Sequence, residues 1–260
     1  MPDTYLIYGG TGGLGSAIAR RLVGRGAAVH LVARDEDRLK AFGAAPSTNQ
    51  AATLSDSSAP TGSFAGYTAG DVADPETFIR AMQDVGDKPL KGLVYAVGTI
   101  NLKPLGRLTD EDFLNDYILN TLGAARAIRA AVAHLARAEG TSSVLLFSTV
   151  AARQGFAAHA SVAAAKGGVE GLVHALGAEL APKIRVNAIA PSLVETELSA
   201  PLIASEPMRK AIAGLHALPR LGTPDDIAGI ADMLLSDGAA WITGQIIGID
   251  GGRSTLRTKG

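Results

Sequence analysis

Residues 4–21 read TYLIYGGTGGLGSAIARR, and this stretch holds the pattern that decides the fold. A short apolar run, Tyr5–Tyr8, stops at a glycine cluster, and an alanine-rich, helix-favouring run follows at once. The pattern predicts a strand, a tight turn and the start of a helix. Glycines let the backbone approach a ligand closely, and a helix N-terminus offers free N–H groups to a phosphate. We therefore expect a dinucleotide-binding turn, although an ordinary strand-to-helix turn would show the same local pattern.

The composition restricts the class of protein. The chain has 260 residues, of which 47% are hydrophobic, and this suits one α/β domain with a sizeable core. A formal net charge of −1 gives no electrostatic reason to expect nucleic acid or an anionic membrane as a partner. The absence of cysteine excludes disulfides and thiol catalysis. With no signal-peptide pattern, no apolar run long enough to span a bilayer and no metal-ligand motif, we expect a cytoplasmic protein without a metal site.

Predicted strands and helices alternate along the chain. The predicted strands are Tyr5–Tyr8, Val29–Ala33, Tyr67–Ala69, Leu93–Val97, Ser143–Ser148, Arg185–Ile189 and Ile246–Ile249. The predicted helices are Leu14–Arg25, one starting with Asp35–Ala41, Asp74–Asp84, Thr109–Ala138 as one helix or a broken pair, Ala157–Leu180 and Pro224–Ser236. The alternation predicts an α/β fold, a Rossmann-type doubly wound parallel sheet in a single domain over residues 1–260, with ligands outside the carboxyl ends of the strands.

Two segments interrupt the alternation. Residues 43–66 are rich in small and polar residues with hardly any charge, which predicts a surface loop or a poorly ordered insertion. Residues 192–218 are mixed, and the family resemblance described below implies a loop over the substrate here. Their apolar side chains would either form a lid on an apolar small-molecule substrate or only pack the segment down. These side chains are Leu198, Leu202, Ile203, Met208 and Leu215.

The order of motifs resembles that of the short-chain dehydrogenase/reductase family over nearly the whole chain. The family's T-G-x-x-x-G-x-G is similar to residues 8–15, where Tyr8 replaces the threonine. Its N-N-A-G segment is matched at residues 95–98 by the final glycine alone, and its N-x-x-x-P-G segment at residues 187–192 ends in Ser192. The other similar segments are Gly70-Asp71-Val72, Asn120-Thr121-Leu122-Gly123, residues 220–227 and residues 243–252.

The resemblance implies a nicotinamide dinucleotide and assigns residues to it. Asp71 contacts the adenine, Lys166 the nicotinamide ribose, Val194 the nicotinamide amide and Thr196 the phosphates. The full set of implied cofactor residues is Gly9, Thr11, Gly12, Gly13, Leu14, Gly15, Arg34, Asp71, Val72, Ala96, Gly98, Lys166, Pro191, Val194 and Thr196.

The end of the second predicted strand bears on the choice of dinucleotide. In the NAD form of this fold an acidic residue there holds the ribose 2′-hydroxyl, whereas an arginine accommodates a 2′-phosphate. Ala33 stands at the acidic position and Arg34 follows it, which favours NADP(H) over NAD(H). Arg38 could assist one helical turn later. Alternatively, Arg34 is only a solvated charge and Asp35 takes the ribose.

The catalytic segment departs from the family pattern at one position. The family uses Ser, Tyr and Lys, supported by a helix Asn, and the Tyr is the general acid or base. The resemblance assigns Lys166 to the lysine, Asn120 to the asparagine and Thr149, which keeps a hydroxyl, to the serine. Four residues before Lys166, where the tyrosine is expected, stands Val162. Because valine cannot transfer a proton, the family mechanism cannot operate here in its usual form.

Several groups could replace the tyrosine, and the sequence does not choose among them. His159 is the first candidate, because a helix over Ala157–Leu180 would put it about 20° from the face of Lys166. Histidine is a general acid near neutral pH, although His159 could equally be a pocket wall without a proton role. The further candidates are Tyr117, Tyr95 and a water beside Thr149. Ser161 would lie about 100° away around the helix and is expected to point elsewhere.

Three functions stay open. The first is an NADP(H)-dependent oxidoreductase that acts on a small carbonyl, alcohol, enone or imine with a non-standard proton donor. The second is an isomerase or cyclase with a structural cofactor, and the third is a cofactor-binding member without redox turnover. Retention of Lys166, Asn120 and the Thr149 hydroxyl favours activity. The family also forms dimers and tetramers through helices that match Thr109–Ala138 and Ala157–Leu180, so the resemblance implies a homodimer or homotetramer.

Overall fold

The computed structural model describes residues 2–45 and 62–257. Within them the chain forms one seven-stranded parallel sheet flanked by helices on both faces, which confirms the predicted α/β fold. The strands are β1 Thr4–Tyr8, β2 Ala28–Ala33, β3 Ser63–Ala69, β4 Gly92–Tyr95, β5 Ser142–Phe147, β6 Ile184–Pro191 and β7 Ile246–Ile249. The helices are α1 Gly13–Gly24, α2 Glu36–Ala44, α3 Glu76–Val85, α4 Asp110–Tyr117, α5 Gly123–Ala136, α6 Ala160–Leu180, α7 Glu206–Ala213 and α8 Pro224–Leu235.

The strand order places a crevice at the carboxyl edge of the sheet. The order is β3-β2-β1-β4-β5-β6-β7, so the chain moves outward from β1 in one direction and from β4 in the other. At the switch, Tyr8 at the end of β1 lies opposite Tyr95 at the end of β4. The loops that follow these two strands diverge, and ligands bind at such a point in open α/β sheets.

Strand β1 is buried along its whole length because helices cover both faces of the sheet. Tyr5 and Ile7 pack on the face that carries α1 and α8, whereas Leu6 and Tyr8 pack on the face that carries α3 and α5. Side chains alternate along a strand, so a strand buried on both faces has a continuous apolar sequence. This burial fixes β1 and therefore the glycine turn that follows it.

The predicted loop over residues 43–66 is wrong at both ends. Helix α2 continues to Ala44, and β3 begins at Ser63 rather than at Tyr67. A Cβ atom on Gly43 would lie 2.5 Å from the ring of Phe64, so the glycine allows α2 to approach the edge strand closely. Pairing of β3 with β2 overrides the small-residue composition that suggested a loop. The remainder of that prediction, residues 46–61, lies outside the described residues.

The segment predicted as one long helix or a broken pair is continuous but irregular. Between α4 and α5 lies a π-helical turn, Ile118–Leu122, and it contains Asn120. Such turns occur often at functional sites, because the extra residue redirects the side chains.

The helix predicted from Ala157 begins three residues later, at Ala160. Ala158 has a φ of 63°, which an α-helix cannot include, so the residues before α6 form a turn.

Among the helices of the described part of the chain, none is both long and apolar enough to cross a membrane.

Candidate cofactor and active-site cleft

A single cleft of about 990 Å³ follows the carboxyl edge of the sheet. It runs from the glycine turn and the end of β2, past the end of β4, to the ends of β5 and β6. Every residue in the sequence-derived set of cofactor contacts lines it except Gly15. The same cleft also contains Asn120's neighbours on α4 and the four residues Thr149, His159, Val162 and Lys166. The structure therefore brings the implied cofactor groups and the implied catalytic groups to one surface.

Backbone geometry shapes the glycine turn. Gly9 has a φ of 75°, and a Cβ atom there would lie 2.8 Å from the carbonyl oxygen of Ala96. A Cβ atom on Gly15 would overlap the carbonyl oxygen of Gly9, so Gly15 is needed to pack α1 against the turn and not to touch a ligand. Helix α1 begins at Gly13 with no acidic residue in its first turn, which leaves its positive end open to an anion.

The arginines near the end of β2 have different surroundings. The side chain of Arg34 is exposed on the cleft wall. Arg38 instead binds both carboxylate oxygens of Glu197, at 2.8 and 3.0 Å, and the carbonyl of Thr11 at 2.9 Å. Asp35 caps α2 by accepting a hydrogen bond from the backbone amide of Arg38 at 3.0 Å. Arg34 is thus the cation of this group that is available to a 2′-phosphate, and Asp35 already has a structural role.

Lys166 is buried on α6, and its Nζ donates to the carbonyl oxygen of Phe147 at 2.8 Å. Burial penalises the ammonium form and lowers the pKa of Lys166 to about 8, while the carboxylate of Asp116 acts in the opposite direction. The lysine is therefore held by a backbone carbonyl at the end of β5, independently of any residue at position 162.

A hydrogen-bonded chain fixes the orientation of Asn120. Its Nδ2 group donates to the Thr99 hydroxyl at 2.9 Å and to the backbone carbonyl of Asp116 at 2.8 Å. The Thr99 hydroxyl donates in turn to the Asp116 carboxylate at 2.6 Å. Both amide hydrogens are then used, and within the described residues the buried Oδ1 of Asn120 has no partner. Oδ1 and the Nζ of Lys166 lie 3.0 and 3.2 Å from the Cβ position of Gly98, so both point to the same spot.

Val162 and Thr149 both line the cleft. Val162 is 5% exposed, lies one helical turn before Lys166 and presents an apolar surface to the cleft. Thr149 caps the short 3₁₀ turn Val150–Ala152, where its hydroxyl accepts from the amide of Ala151 at 3.3 Å.

The position predicted for His159 on the helix face of Lys166 is wrong, because His159 precedes the helix. It still lines the cleft, with its ring against Phe156 at a centroid distance of 5.4 Å. Its Nδ1 lies 2.7 Å from the carbonyl oxygen of Ala157. A carbonyl only accepts, so Nδ1 carries a hydrogen and Nε2 is the free nitrogen.

The other candidate donors lie away from the cleft. The Tyr95 hydroxyl donates to the carbonyl of Leu119 at 2.7 Å, and burial raises the pKa of Tyr95 far above its usual range. Tyr117 is 49% exposed, and Ser161 is buried in the first turn of α6. Since none of the three lines the cleft, His159 and a water beside Thr149 are the donors of the predicted set that keep access to it.

The cleft residues that sequence reasoning missed include Thr99, Asp116 and Arg253. Asp116 stands one helical turn before Asn120, so its spacing could have identified it. Arg253 follows the Gly-Gly pair after β7, and nothing in its local sequence indicates a cleft residue. Among residues 2–45 and 62–257, no group of three or more His, Asp and Glu side chains is placed to hold a metal ion.

Sheet order, glycine turn and cleft together define a Rossmann-type nucleotide-binding protein. Comparison with known proteins makes this more specific: a family model described as enoyl-(acyl carrier protein) reductase matches residues 9–254. The chain belongs to the short-chain dehydrogenase/reductase family of oxidoreductases.

Three similar proteins illustrate the relationship. A tropinone reductase homolog of Arabidopsis thaliana is 32% identical over 96% of this chain and 78% of its own length. A solved short-chain type dehydrogenase/reductase from Mycobacterium ulcerans superposes with a TM-score of 0.84 at 29% identity, over 98% of this chain and 90% of that one. The structure of ElxO with NADP bound has a TM-score of 0.83 at 25% identity, over 98% of this chain and 100% of that one. A tyrosine-to-phenylalanine variant of ElxO is solved with NADPH bound.

Proposed function

We propose that this protein is an NADP(H)-dependent oxidoreductase that interconverts a small carbonyl compound, enone or imine and its reduced form, with a proton donor other than tyrosine. The observation that carries the proposal is the shared cleft, in which the glycine turn and the buried Lys166 face the same space as Thr149, while Asn120 lies directly behind the cleft residue Gly98. An apolar side chain, Val162, occupies the position of the usual proton donor.

The residues present fit a dinucleotide. The glycines allow a close backbone approach at the start of α1, and the cleft continues from there to Lys166. Arg34 supports NADP(H), because a guanidinium matches phosphate geometry and cannot lose its charge. When bound, the nicotinamide supplies or accepts a hydride. Thr196 lies beside the start of α1, with its Cγ2 atom 2.6 Å from the Cβ position of Gly13, and its hydroxyl pairs with Ser199 at 3.3 Å. This nearness to the glycine turn supports a role for Thr196 at the phosphates.

The protein's own groups bind, orient and move a proton. Lys166 would donate to the ribose hydroxyls, and the Oδ1 of Asn120, which has no partner among the described residues, would accept from a water or from Lys166. The Thr149 hydroxyl orients the substrate oxygen. His159 supplies the proton: its Nδ1 hydrogen is held by the carbonyl of Ala157, so the protonated ring donates from Nε2. A substrate that needs little acid assistance reduces the demand on this group.

The first test separates cofactor binding from turnover. NADPH binding is measured by fluorescence, and absorbance then follows oxidation with a panel of carbonyls, enones and imines. Oxidation with at least one substrate class is the expected result. NADPH binding without oxidation by any compound of the panel would instead favour the alternative, a cofactor-binding protein without redox turnover, which Val162 makes chemically reasonable.

The second test addresses the proton donor. His159→Ala should lower turnover by about 100- to 10,000-fold with NADPH affinity unchanged, since this is the usual contribution of a general acid. The matched control is His174→Ala, an exposed histidine on the outer face of α6. An unchanged rate in His159→Ala would leave the water beside Thr149 as the donor.

We also propose a homo-oligomer and a cytoplasmic location. Gly167 and Gly171 lie one turn apart on α6 with open space above them, so a second copy could approach this helix closely. Light scattering at micromolar concentration should give a dimer or tetramer mass, and Gly171→Arg should reduce it. A monomer mass for the wild-type chain would refute the proposed homo-oligomer.

Cell fractionation tests the proposed cytoplasmic location.

A further inference from the structure

A positively charged side chain, Arg253, stands near the ends of β6 and β7. It lies in the half of the cleft that also contains Thr149 and Lys166, which we call the reaction half. Arg253 follows β7 and lines the cleft, with its guanidinium 4.6 Å from the ring centroid of Phe156. Its Nη1 donates to the hydroxyl of Ser192 at 3.2 Å. Ser192 comes directly after Pro191, the last residue of β6. The guanidinium is therefore held over the same edge of the sheet as the implied catalytic groups.

A relay fixes this guanidinium. The Nδ1 of His216 lies 3.2 Å from the carbonyl oxygen of Ala213, which only accepts, so Nδ1 carries a hydrogen and Nε2 accepts. The Ser192 hydroxyl lies 2.9 Å from that Nε2 and donates to it. The oxygen of Ser192 is then free to accept from Arg253. His216 is 4% exposed, so the relay has a buried anchor.

Arg253 has no carboxylate partner among the described residues. The nearest acidic influence, Asp250, accepts hydrogen bonds from the backbone amides of Gly252 at 2.9 Å and Ser254 at 3.0 Å. Burial penalises the charged guanidinium and lowers its pKa. Among the described residues the guanidinium makes one hydrogen bond, to Ser192, so its other N–H groups remain for a ligand in the cleft that Arg253 lines. Such a group is matched by a planar carboxylate, which it can bind through two parallel hydrogen bonds.

The opposite end of the reaction half has the opposite charge. Asp116 accepts a hydrogen bond from Thr99, which follows β4, whereas Arg253 donates one to Ser192, which follows β6. Neighbouring strands are about 4.8 Å apart, so these two ends are separated by roughly 10 Å, with Thr149 after β5 between them. An anionic group at Arg253 and a carbonyl oxygen at Thr149 would then be about one strand spacing apart.

We propose that Arg253 is a specificity-determining residue that binds the carboxylate of an oxo acid. The carbonyl carbon of this acid lies at most four carbons from the carboxylate carbon. This inference rests on the proposed function for its chemistry, because the overall reaction would convert oxo acid, reduced dinucleotide and a proton into hydroxy acid and oxidised dinucleotide. The carboxylate itself takes no part in bond changes. Ser192 and His216 are positioning residues for the guanidinium.

The experiment uses charged and neutral probe pairs of equal size. Binding of pentanoate and pentanamide is measured by calorimetry with and without NADP⁺, and turnover of 2-oxopentanoate and 4-oxopentanoate is compared with that of their carboxamides. Wild-type protein should bind pentanoate about 10- to 150-fold more tightly than pentanamide, which is the usual contribution of a hydrogen bond to a charged group. Arg253→Met should remove that preference and leave NADP⁺ affinity unchanged.

Three further variants complete the test. Arg257→Met removes a positive charge from the exposed C-terminal segment and should keep the preference for pentanoate. Arg253→Lys should keep part of it, and Ser192→Ala should reduce it without removing the charge, so a folding failure of Arg253→Met would leave two variants that decide the question.

The possible outcomes are distinct. Equal binding of pentanoate and pentanamide to the wild-type protein would overturn the proposal, as would a loss of NADP⁺ affinity in Arg253→Met with pentanoate binding intact. Tighter binding of propyl phosphate than of pentanoate through Arg253 would also overturn it in favour of a phosphate ester. Selective pentanoate binding without turnover of any oxo acid would support the carboxylate site and refute only the redox function.

Discussion

The two ends of the cleft are built differently. The end at the glycine turn, where we propose that the dinucleotide binds, is shaped by backbone and is called the cofactor end. The end near Thr149 and Lys166, where we propose that the reaction occurs, is shaped by side chains and is called the reaction end. The glycine turn is defined by close contacts of Gly9 and Gly15 with carbonyl groups. The reaction end depends instead on the hydroxyls, carboxylate and cations of residues such as Thr99, Asp116 and Arg253. A backbone-shaped site tolerates few substitutions at its glycines, whereas a side-chain-shaped site changes its chemistry with one substitution.

The difference explains how Val162 can coexist with an otherwise complete cleft. Lys166 is anchored to the carbonyl of Phe147, and Asn120 is anchored through Thr99 and Asp116. Neither anchor passes through position 162. The residues proposed for cofactor binding are thus held by contacts that do not involve the position of the usual proton donor, so we expect cofactor binding and proton transfer to be separable.

The largest expected effect comes from restoring a hydroxyl at position 162. Val162→Tyr should raise ketone reduction by about 100- to 10,000-fold, because a phenol one turn before Lys166 would act as general acid. Initial rates of NADPH oxidation measure it. Val162→Phe, which has the size but not the hydroxyl, is the control and should give no gain. No gain in Val162→Tyr with NADPH still bound would mean that substrate no longer lies within reach of position 162.

The second prediction concerns the anchor of Lys166. The pKa of Lys166 is about 8 in the folded protein and 10.5 when unperturbed. Between these two pH values Lys166 is protonated in the unfolded chain but not in the folded protein. The contribution of Lys166 to the free energy of unfolding therefore rises by about 1.4 kcal/mol per pH unit. Denaturant unfolding of wild type and Lys166→Met should therefore diverge over this window, to a total of about 3 kcal/mol.

The same measurement has an internal control. Below pH 8 the lysine is protonated in both states, so the difference between the two proteins should be flat there. A flat difference up to pH 10.5 would show that Lys166 stays charged in the folded protein, and the anchoring described above would then hold an ammonium group.

The third prediction tests the dinucleotide preference at the other end of the cleft. Arg34→Ser should weaken NADPH binding by about 10- to 150-fold, the usual range for hydrogen bonds to a charged group, and leave NADH binding nearly unchanged. Fluorescence titration measures both affinities. Arg129→Ser, at an exposed position on α5, is the matched control. Equal weakening of NADPH and NADH would assign Arg34 to general attraction and not to the 2′-phosphate.

The glycine turn was predictable because its residues are close in sequence. The run from Tyr5 to Gly15 contains the strand, the turn and the helix start, and local patterns determine all three. The wrong element boundaries have local causes that composition does not reveal. Ala158 takes a left-handed conformation, and edge pairing with β2 extends β3 back to Ser63.

The reaction end was only partly predictable because its residues come together from distant segments. Arg253 meets Ser192 across 61 positions, and Thr99 meets Asp116 across 17. No periodicity relates such pairs, so only the folded chain brings them together. The family resemblance supplied positions for Lys166 and Asn120 but gave no indication of residues outside the family pattern.

The smallest effect is expected at Asp116, which acts on the reaction through Asn120 and Lys166. Asp116→Asn removes the charge that favours the ammonium form, so the pKa of Lys166 should fall further below its usual range. Turnover on the alkaline side should then be lost at a lower pH than in the wild-type protein. The maximal rate should fall by between about 2-fold and 10-fold, since the Thr99 hydroxyl keeps an acceptor and only its charge assistance is lost.

A pH–rate profile distinguishes this role from a merely structural one. Asp110→Asn, an exposed change on the same helix, should leave both the profile and the rate unchanged. A lower rate in Asp116→Asn with an unshifted profile would mean that the carboxylate only orients Asn120. A shifted profile with NADPH affinity intact would place Asp116 in the electrostatic environment of the lysine. The reaction end of the cleft would then include a carboxylate one helical turn before Asn120, a group that the family pattern does not name.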